Sequence, residues 1–422
     1  MNITEQNPKL GYYQVGDQRF YVKPEAYIYA TQTNQIPIWN FNNVEFAKFD
    51  WTNEPELDIR ELYRIRAQQL RDRYDYIRLD CSGGSDSATV AFSFLLNNIH
   101  LDEIVFRYPK AGEKGVTDDP YNFSPTNTLS EWRYAAKPLL DWVKTNYPNT
   151  IVTIHDYSEN MFKEDYMKDE SWIFTTKDWF QPGHGIKHTQ FGTAEHRQLV
   201  DSGKSVCSLH GIDKPKLFTI GNDWYVYFLD VQANHPSPIV NGYTNITNEL
   251  FYWTPDMPEI VCKQSHMIKR WLDMPQNQHL KDKFTHPYKV TVGNRTMVEL
   301  LIKSIIYPDY DQHTWQTSKP TNSFYNEMDH WFYTNYADTS TYSVWQNGLK
   351  FLVDKIDPKY IRYRSEEPVG LSGNYSLFYY MGTSDTLSST KNTPMFNNNG
   401  NAHFDKGEYL AVKDQKIKKL VI

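Results

Sequence analysis

The run Asp80-Cys81-Ser82-Gly83-Gly84-Ser85-Asp86-Ser87 holds the residue types that a phosphate cradle needs. Adjacent glycines let a backbone turn sharply and come close to a bulky anion with no side chain in the way. Ser82, Ser85 and Ser87 carry hydroxyls that can donate to phosphate oxygens. Asp86 is out of place beside an anion unless it holds a Mg2+ ion carried by the phosphates. The same residues also make an ordinary helix N-cap, for which no ligand is required. Context separates the two readings, so the flanking elements matter.

Tyr76 to Cys81 reads as a strand, and Asp86 to Asn98 as a helix with Val90, Ala91, Phe94 and Leu95 facing inward. Glu103 to Tyr108 reads as a second strand, Thr126 to Tyr147 as a helix and Thr150 to His155 as a third strand. This alternation predicts an α/β fold: a parallel sheet with helices on both faces. A loop after the first strand of such a pattern favours the phosphate, because the free N–H groups and positive dipole end of the next helix face the same space. Upstream, Glu56 to Tyr74 has Ile59, Leu62, Tyr63, Leu70 and Tyr74 on one helical face. Before it, Tyr12 to Val15 and Gln18 to Val22 predict a hairpin about Gly16-Asp17, with further strands at Tyr27 to Thr31 and Ile36 to Phe41. Downstream, helices are predicted at Thr193 to Ser202, Pro258 to Leu272, Met297 to Ile306 and Ser343 to Asp354. Strands are predicted at Ser205 to His210 and Trp224 to Leu229, and a loop at Met395 to Phe404. The divisions expected are a small β-rich unit over 1–54, the nucleotide-binding unit over 55–285 and a mixed C-terminal unit over 286–422 that shapes the acceptor site.

Ser-Gly-Gly-x-Asp-Ser after the first strand resembles the loop of the PP-loop ATP pyrophosphatases, the adenine nucleotide alpha-hydrolases. These include asparagine synthetase, NAD synthetase, GMP synthetase and the PAPS reductases. The resemblance is specific over Tyr76 to Tyr108. It implies a Rossmann-like core with ATP and Mg2+ as cofactors. Carried over by position, Ser82, Gly83, Gly84, Ser85, Asp86 and Ser87 would hold pyrophosphate and metal, and Phe106, Arg107 and Tyr108 would lie beside adenine. A second segment, Leu209-His210-Gly211-Ile212-Asp213-Lys214-Pro215-Lys216-Leu217-Phe218, resembles the later Gly-x-Asp-Glu loop of asparagine-synthetase-type domains, with Lys214 in place of the Glu. That resemblance makes Asp213 a metal ligand with Asp86, and Lys214 a cation for the leaving pyrophosphate. A Gly-Ile-Asp turn with a solvated lysine is the alternative.

The activity implied is adenylation of a small-molecule carbonyl or carboxylate acceptor, with AMP and pyrophosphate as products and a nitrogen or sulfur nucleophile completing the transfer. Asp86, Asp213 and Lys214 are its candidate catalytic residues. Residue 2 is Asn2, whereas a glutaminase of this kind needs an N-terminal cysteine. A PAPS-reductase-like enzyme is one alternative; it needs a reactive cysteine late in the chain, and Cys262 is the last. A module that binds ATP or AMP without turnover is another.

Other chemistry-bearing residues are weaker pointers. Gly203-Lys204-Ser205 resembles the end of a Walker A loop, but Gln198 stands where a Gly is required. His184, His188 and His196 cluster with Glu195, but Pro182, Gly183 and Gly185 predict a loop rather than a metal-binding helix. His155-Asp156 follows the third strand, where α/β sheets place ligand-binding residues.

Composition bounds the partners. The net charge is -7 over 422 residues, so no global basic field draws in nucleic acid. Lys413, Lys416, Lys418 and Lys419 read as a solvated tail. Aromatics make up 15% of the chain, which excludes broad disorder and is compatible with a homodimer. Cys81, Cys207 and Cys262 are too scattered for a disulfide framework or a Cys-x-x-Cys site. No apolar run approaches the ~20 residues that span a bilayer, and a cytoplasmic protein is expected.

Overall fold

The computed structural model describes residues 8–108, 132–156, 170–174, 201–230, 245–281, 284, 294–311, 337–364, 367–384, 408–413 and 416–421. The predicted N-terminal hairpin is present: β1 (Tyr12–Val15) and β2 (Gln18–Phe20) pair with Val15 opposite Gln18. Gly16 takes the left-handed conformation that this two-residue turn requires, at φ 58°. Tyr27 to Thr31 is not a strand but lies in helix α1 (Lys23–Thr33). Pro24 pre-sets its first turn, and Asn34 in the left-handed region ends it. Strand β3 (Ile38–Asn40) pairs with the other edge of β1, and α2 (Asn43–Lys48) follows.

Helix α3 (Ile59–Arg73) starts where the Asp58 side chain accepts from Arg60 N at 2.9 Å. Then come β4 (Tyr76–Asp80), α4 (Ser85–Leu95) and β5 (Glu103–Tyr108). A π-helical turn over Trp132–Ala136 leads into α5 (Lys137–Asn146), and β6 (Ile151–Asp156) and β7 (Val206–His210) follow. The hairpin strands β8 (Lys216–Ile220) and β9 (Asp223–Tyr227) precede β10 (Ile246–Leu250).

Strands β4, β5, β6, β7 and β10 form one all-parallel sheet in the order β10-β7-β4-β5-β6. The chain thus builds outward from β4 through β5 to β6, then returns to the far side of β4 to lay down β7 and β10. The strand order thus reverses between β4 and β7, and this is the place where open α/β sheets leave a crevice beyond the strand ends. Edge strand β10 is polar, yet Glu249 is buried: it receives Arg66 Nη2 of α3 at 3.1 Å and the Tyr74 hydroxyl at 2.7 Å.

After α6 (Glu259–Leu272), α7 (Gln278–Lys281), α8 (Asn294–Ile306) and α9 (Ser340–Lys355) come β11 (Ile361–Arg364), β12 (Glu367–Leu371), β13 (Phe378–Thr383), β14 (Glu408–Lys413) and β15 (Lys416–Val421). A second sheet has the order β15-β14-β13-β9-β8. The β8–β9 hairpin, from the 55–285 segment, therefore shares a sheet with strands of the 286–422 segment, and Lys413 and Lys416 lie in the β14–β15 strand pair. One continuous core runs from Tyr13 through Leu79 and Trp253 to Tyr360 and Tyr379. Among the described residues no helix is long and apolar enough to cross a membrane. The predicted 395–404 loop, the histidine cluster at 184–196 and most of the 193–202 helix fall outside the described residues.

Candidate functional site

The Ser82–Ser87 loop joins β4 to α4 at the chain reversal, and its hydroxyls divide their work. Ser82 N donates to Ser87 Oγ at 3.2 Å, and Ser87 Oγ donates to Gly84 O at 3.2 Å. Gly84 N donates to Ser82 Oγ at 3.4 Å. These bonds hold the turn. Ser85 Oγ is buried and has no partner among the described residues, and a buried hydroxyl left so costs free energy unless something accepts from it. Gly84 is the cap residue of α4 and offers no side-chain acceptor to the first-turn N–H groups. Gly83 has φ +73°, and a Cβ there would lie 2.4 Å from Ala136 N. Its lack of a side chain is thus needed by the protein's own packing as well as by the turn.

Asp86 sits in the first turn of α4 and is anchored from far along the chain. Its Oδ1 accepts from the Tyr307 hydroxyl at 2.6 Å, and its carbonyl accepts from the Tyr252 hydroxyl at 2.7 Å. Tyr63 donates to Ile306 O at 2.7 Å and accepts from Gln264 Nε2 at 2.8 Å. All three tyrosines are buried. Burial, and secondarily the Asp86 charge, push the Tyr307 phenol well above its usual range, so it stays a donor.

The second predicted segment arrives at the same place. Gly211, just after β7, lies against the first turn of α4, where a Cβ would be 2.9 Å from Ser87 Cα and 3.0 Å from Asp86 O. Two residues on, Asp213 Oδ1 accepts from Lys214 N at 2.7 Å and Lys214 Nζ at 3.1 Å, while Oδ2 pairs with Lys216 Nζ at 3.0 Å. Burial works to raise the Asp213 carboxyl, but Lys214 and Lys216 outweigh it and hold the group well below the usual carboxylate range. Lys214 is therefore not a solvated lysine: its side chain is 10% exposed and salt-bridged.

A charged network crosses the strand ends. Asp80 at the end of β4 is paired with Arg107 Nη1 of β5 and lies 3.3 Å from His210 Nδ1 of β7. His210 Nε2 is in turn 3.3 Å from Asn248 Oδ1 of β10. Burial opposes the Asp80 charge, but Arg107, His210 and Arg78 prevail and its carboxyl lies below the ordinary value. Its contribution to stability is therefore complete above the unfolded value of about 3.9 and is lost as pH falls through the depressed folded value. The acid limb of the stability curve should accordingly be shallower below about pH 4 in Asp80→Asn than in the parent, by urea titration at a series of pH values. Parallel limbs would show that Asp80 does not carry this linkage. Phe106 stacks on Trp132 with centroids 5.3 Å apart, and Tyr108 backbone pairs with Asp156 on β6.

The chemistry of these groups can be matched to the expected ligands. Ser85 Oγ and the first turn of α4 suit a phosphate. Asp86, a hard oxygen ligand fixed by one hydrogen bond, suits Mg2+, which takes one or two carboxylates plus phosphate oxygens. Among the described residues no three His, Cys, Asp or Glu side chains form a metal-binding group. Asp213 can ligate only by giving up lysines. Lys216, Tyr252 and Tyr307 escape sequence reading, and only the spacing of Lys216 from Asp213 carried any signal. Cys262 is buried in α6, its thiol raised by burial and then by nearby carboxylates, so it is not a reactive thiolate. Comparison with protein-family models, curated proteins and solved structures finds no match to this chain.

Proposed function

We propose that this protein is an ATP-dependent, AMP- and pyrophosphate-forming enzyme of the PP-loop type, with a Rossmann-like nucleotide-binding core. The observation that carries the reading is convergence: Gly211, which leads into the Asp213–Lys216 loop, lies against the first turn of α4, where the Ser82–Ser87 turn stands beside the strand-order reversal. In this reading Ser85 and the α4 N–H groups bind the pyrophosphate part of ATP. Lys214 and Lys216 exchange their carboxylate partner for the negative charge of the leaving group. The β5 end, Phe106 to Tyr108, lies beside adenine. Bound Mg2+ would neutralise phosphate charge, held by Asp86 and, once released from its lysines, by Asp213.

An acceptor oxygen attacks the α-phosphorus; the new O–P bond forms as the bond to pyrophosphate breaks. An amine, ammonia or sulfur nucleophile then displaces AMP. The side chains position and screen charge, so no protein nucleophile is needed.

Release of pyrophosphate and AMP from Mg-ATP is expected to rise with one member of a panel of carboxylates, amides and modified nucleosides, tested with and without ammonia. Tight ATP binding with no release under any condition would replace this reading with a non-catalytic module. Selective PAPS binding would favour the reductase reading, against which the burial of Cys262 weighs.

A further inference from the structure

Tyr307 follows α8 directly, 221 residues from Asp86 in sequence, yet its hydroxyl is 2.6 Å from Asp86 Oδ1. Nothing in the packing of a helix start requires this bond, because a first-turn carboxylate is already favoured by the helix dipole. The bond instead fixes the direction of the carboxylate: with one oxygen tied to a buried phenol, the other is oriented by the rigid donor. The donor is itself locked. Tyr63 holds the adjacent Ile306 carbonyl, Gln264 of α6 holds Tyr63, and the Tyr252 ring lies 5.7 Å from the Tyr307 ring.

We propose that Tyr307 is a positioning residue for the metal-bound nucleotide: it presents the Asp86 carboxylate to the cation, and through Ile306 it makes metal affinity depend on the docking of α8. This rests on the nucleotide reading above. Hydrogen-bond partners of ligating carboxylates commonly set metal affinity, and their loss typically weakens it about 10–100-fold. Tyr307→Phe keeps the ring and removes only the donor.

The test is calorimetric ATP binding by the full chain in Mg2+ and in EDTA, with a Mg2+ titration at fixed ATP. Tyr307→Phe should weaken Mg-ATP binding and raise the half-saturating Mg2+ concentration at least about tenfold, while ATP in EDTA binds as in the parent. Tyr252→Phe, which loses a bond to the Asp86 backbone and a contact with the Tyr307 hydroxyl but none to the carboxylate, should shift the Mg2+ requirement less than Tyr307→Phe does. In an Asp86→Asn background Tyr307→Phe should add no further Mg2+ effect. Equal losses with and without Mg2+, or none, would overturn the role of Tyr307 while leaving the nucleotide reading standing. A parent protein that binds no ATP in either condition would overturn both. Should Tyr307→Phe not fold, the contrast between Asp86→Asn and Tyr252→Phe still decides, since an unaltered Mg2+ requirement in Asp86→Asn removes the carboxylate that Tyr307 is said to present.

Discussion

Asp86→Ala should reduce acceptor-stimulated pyrophosphate release by on the order of a thousandfold, because a metal held at a transferring phosphoryl group supplies several kcal/mol of charge stabilisation. Asp86 is the carboxylate that the loop brings to the start of α4, and it is anchored by Tyr307 rather than by a cation. Asp213, by contrast, is salt-bridged to Lys214 and Lys216. On the proposed reading, loss of Asp86 thus removes the ligand most ready to accept Mg2+. The alanine variant also strands the buried Tyr307 hydroxyl, at a cost of about 1–3 kcal/mol. Asp86→Asn keeps an oxygen acceptor for that hydroxyl and should melt nearer the parent while being as inactive. Thermal melts and pyrophosphate release, measured on both variants, separate the two effects. ATP binding in EDTA should persist in both, since a negative charge beside the phosphates has been removed. Parent-level release by either variant would take Asp86 out of the chemistry.

What the sequence made visible was the locally encoded part of the candidate site. The short apolar strand of Ile77 and Leu79, the Gly83-Gly84 pair and the inward face of α4 each speak through neighbours in the chain, and together they located the loop. Gly211 to Asp213 was legible for the same reason, following the buried strand Val206–His210. The remainder depends on long-range pairing. Strand β10, Ile-Thr-Asn-Glu-Leu, does not read as a buried strand, because its polar residues are satisfied by Arg66 of α3, by Tyr74 just after it and by His210 from β7. Tyr27 to Tyr29 have strand-forming side chains, but Pro24, Asn34 and packing against Tyr13 and Tyr360 settle the segment as helix. Tyr307 has no local signature at all; only the fold places it on Asp86.

Gly83→Ala should abolish measurable nucleotide binding and lower the melting temperature, an effect that the neighbouring Gly84→Ala should reproduce only in part. Gly83 stands at φ +73°, where a non-glycine residue costs about 1–3 kcal/mol. The added Cβ would also lie 2.4 Å from Ala136 N and 2.5 Å from Ala135 C, and backbone cannot swing aside as a side-chain tip can. Either the loop or the Trp132–Ala136 turn must move, and the loop is the only connection from β4 to the first turn of α4. Displacement by a fraction of an ångström breaks the bonds among Ser82, Gly84 and Ser87 that set the turn. Gly84 has φ -71° and ψ 162°, which any residue adopts, so alanine there brings no backbone strain. As a cap residue it costs only about 1 kcal/mol. ATP binding and melts of the two variants thus distinguish geometry from mere loss of stability. If Gly83→Ala bound ATP like the parent, the turn at Ser82–Ser87 would not be the phosphate site. If Gly84→Ala lost stability as severely as Gly83→Ala, the contact with Ala135 and Ala136 would not be what makes position 83 special.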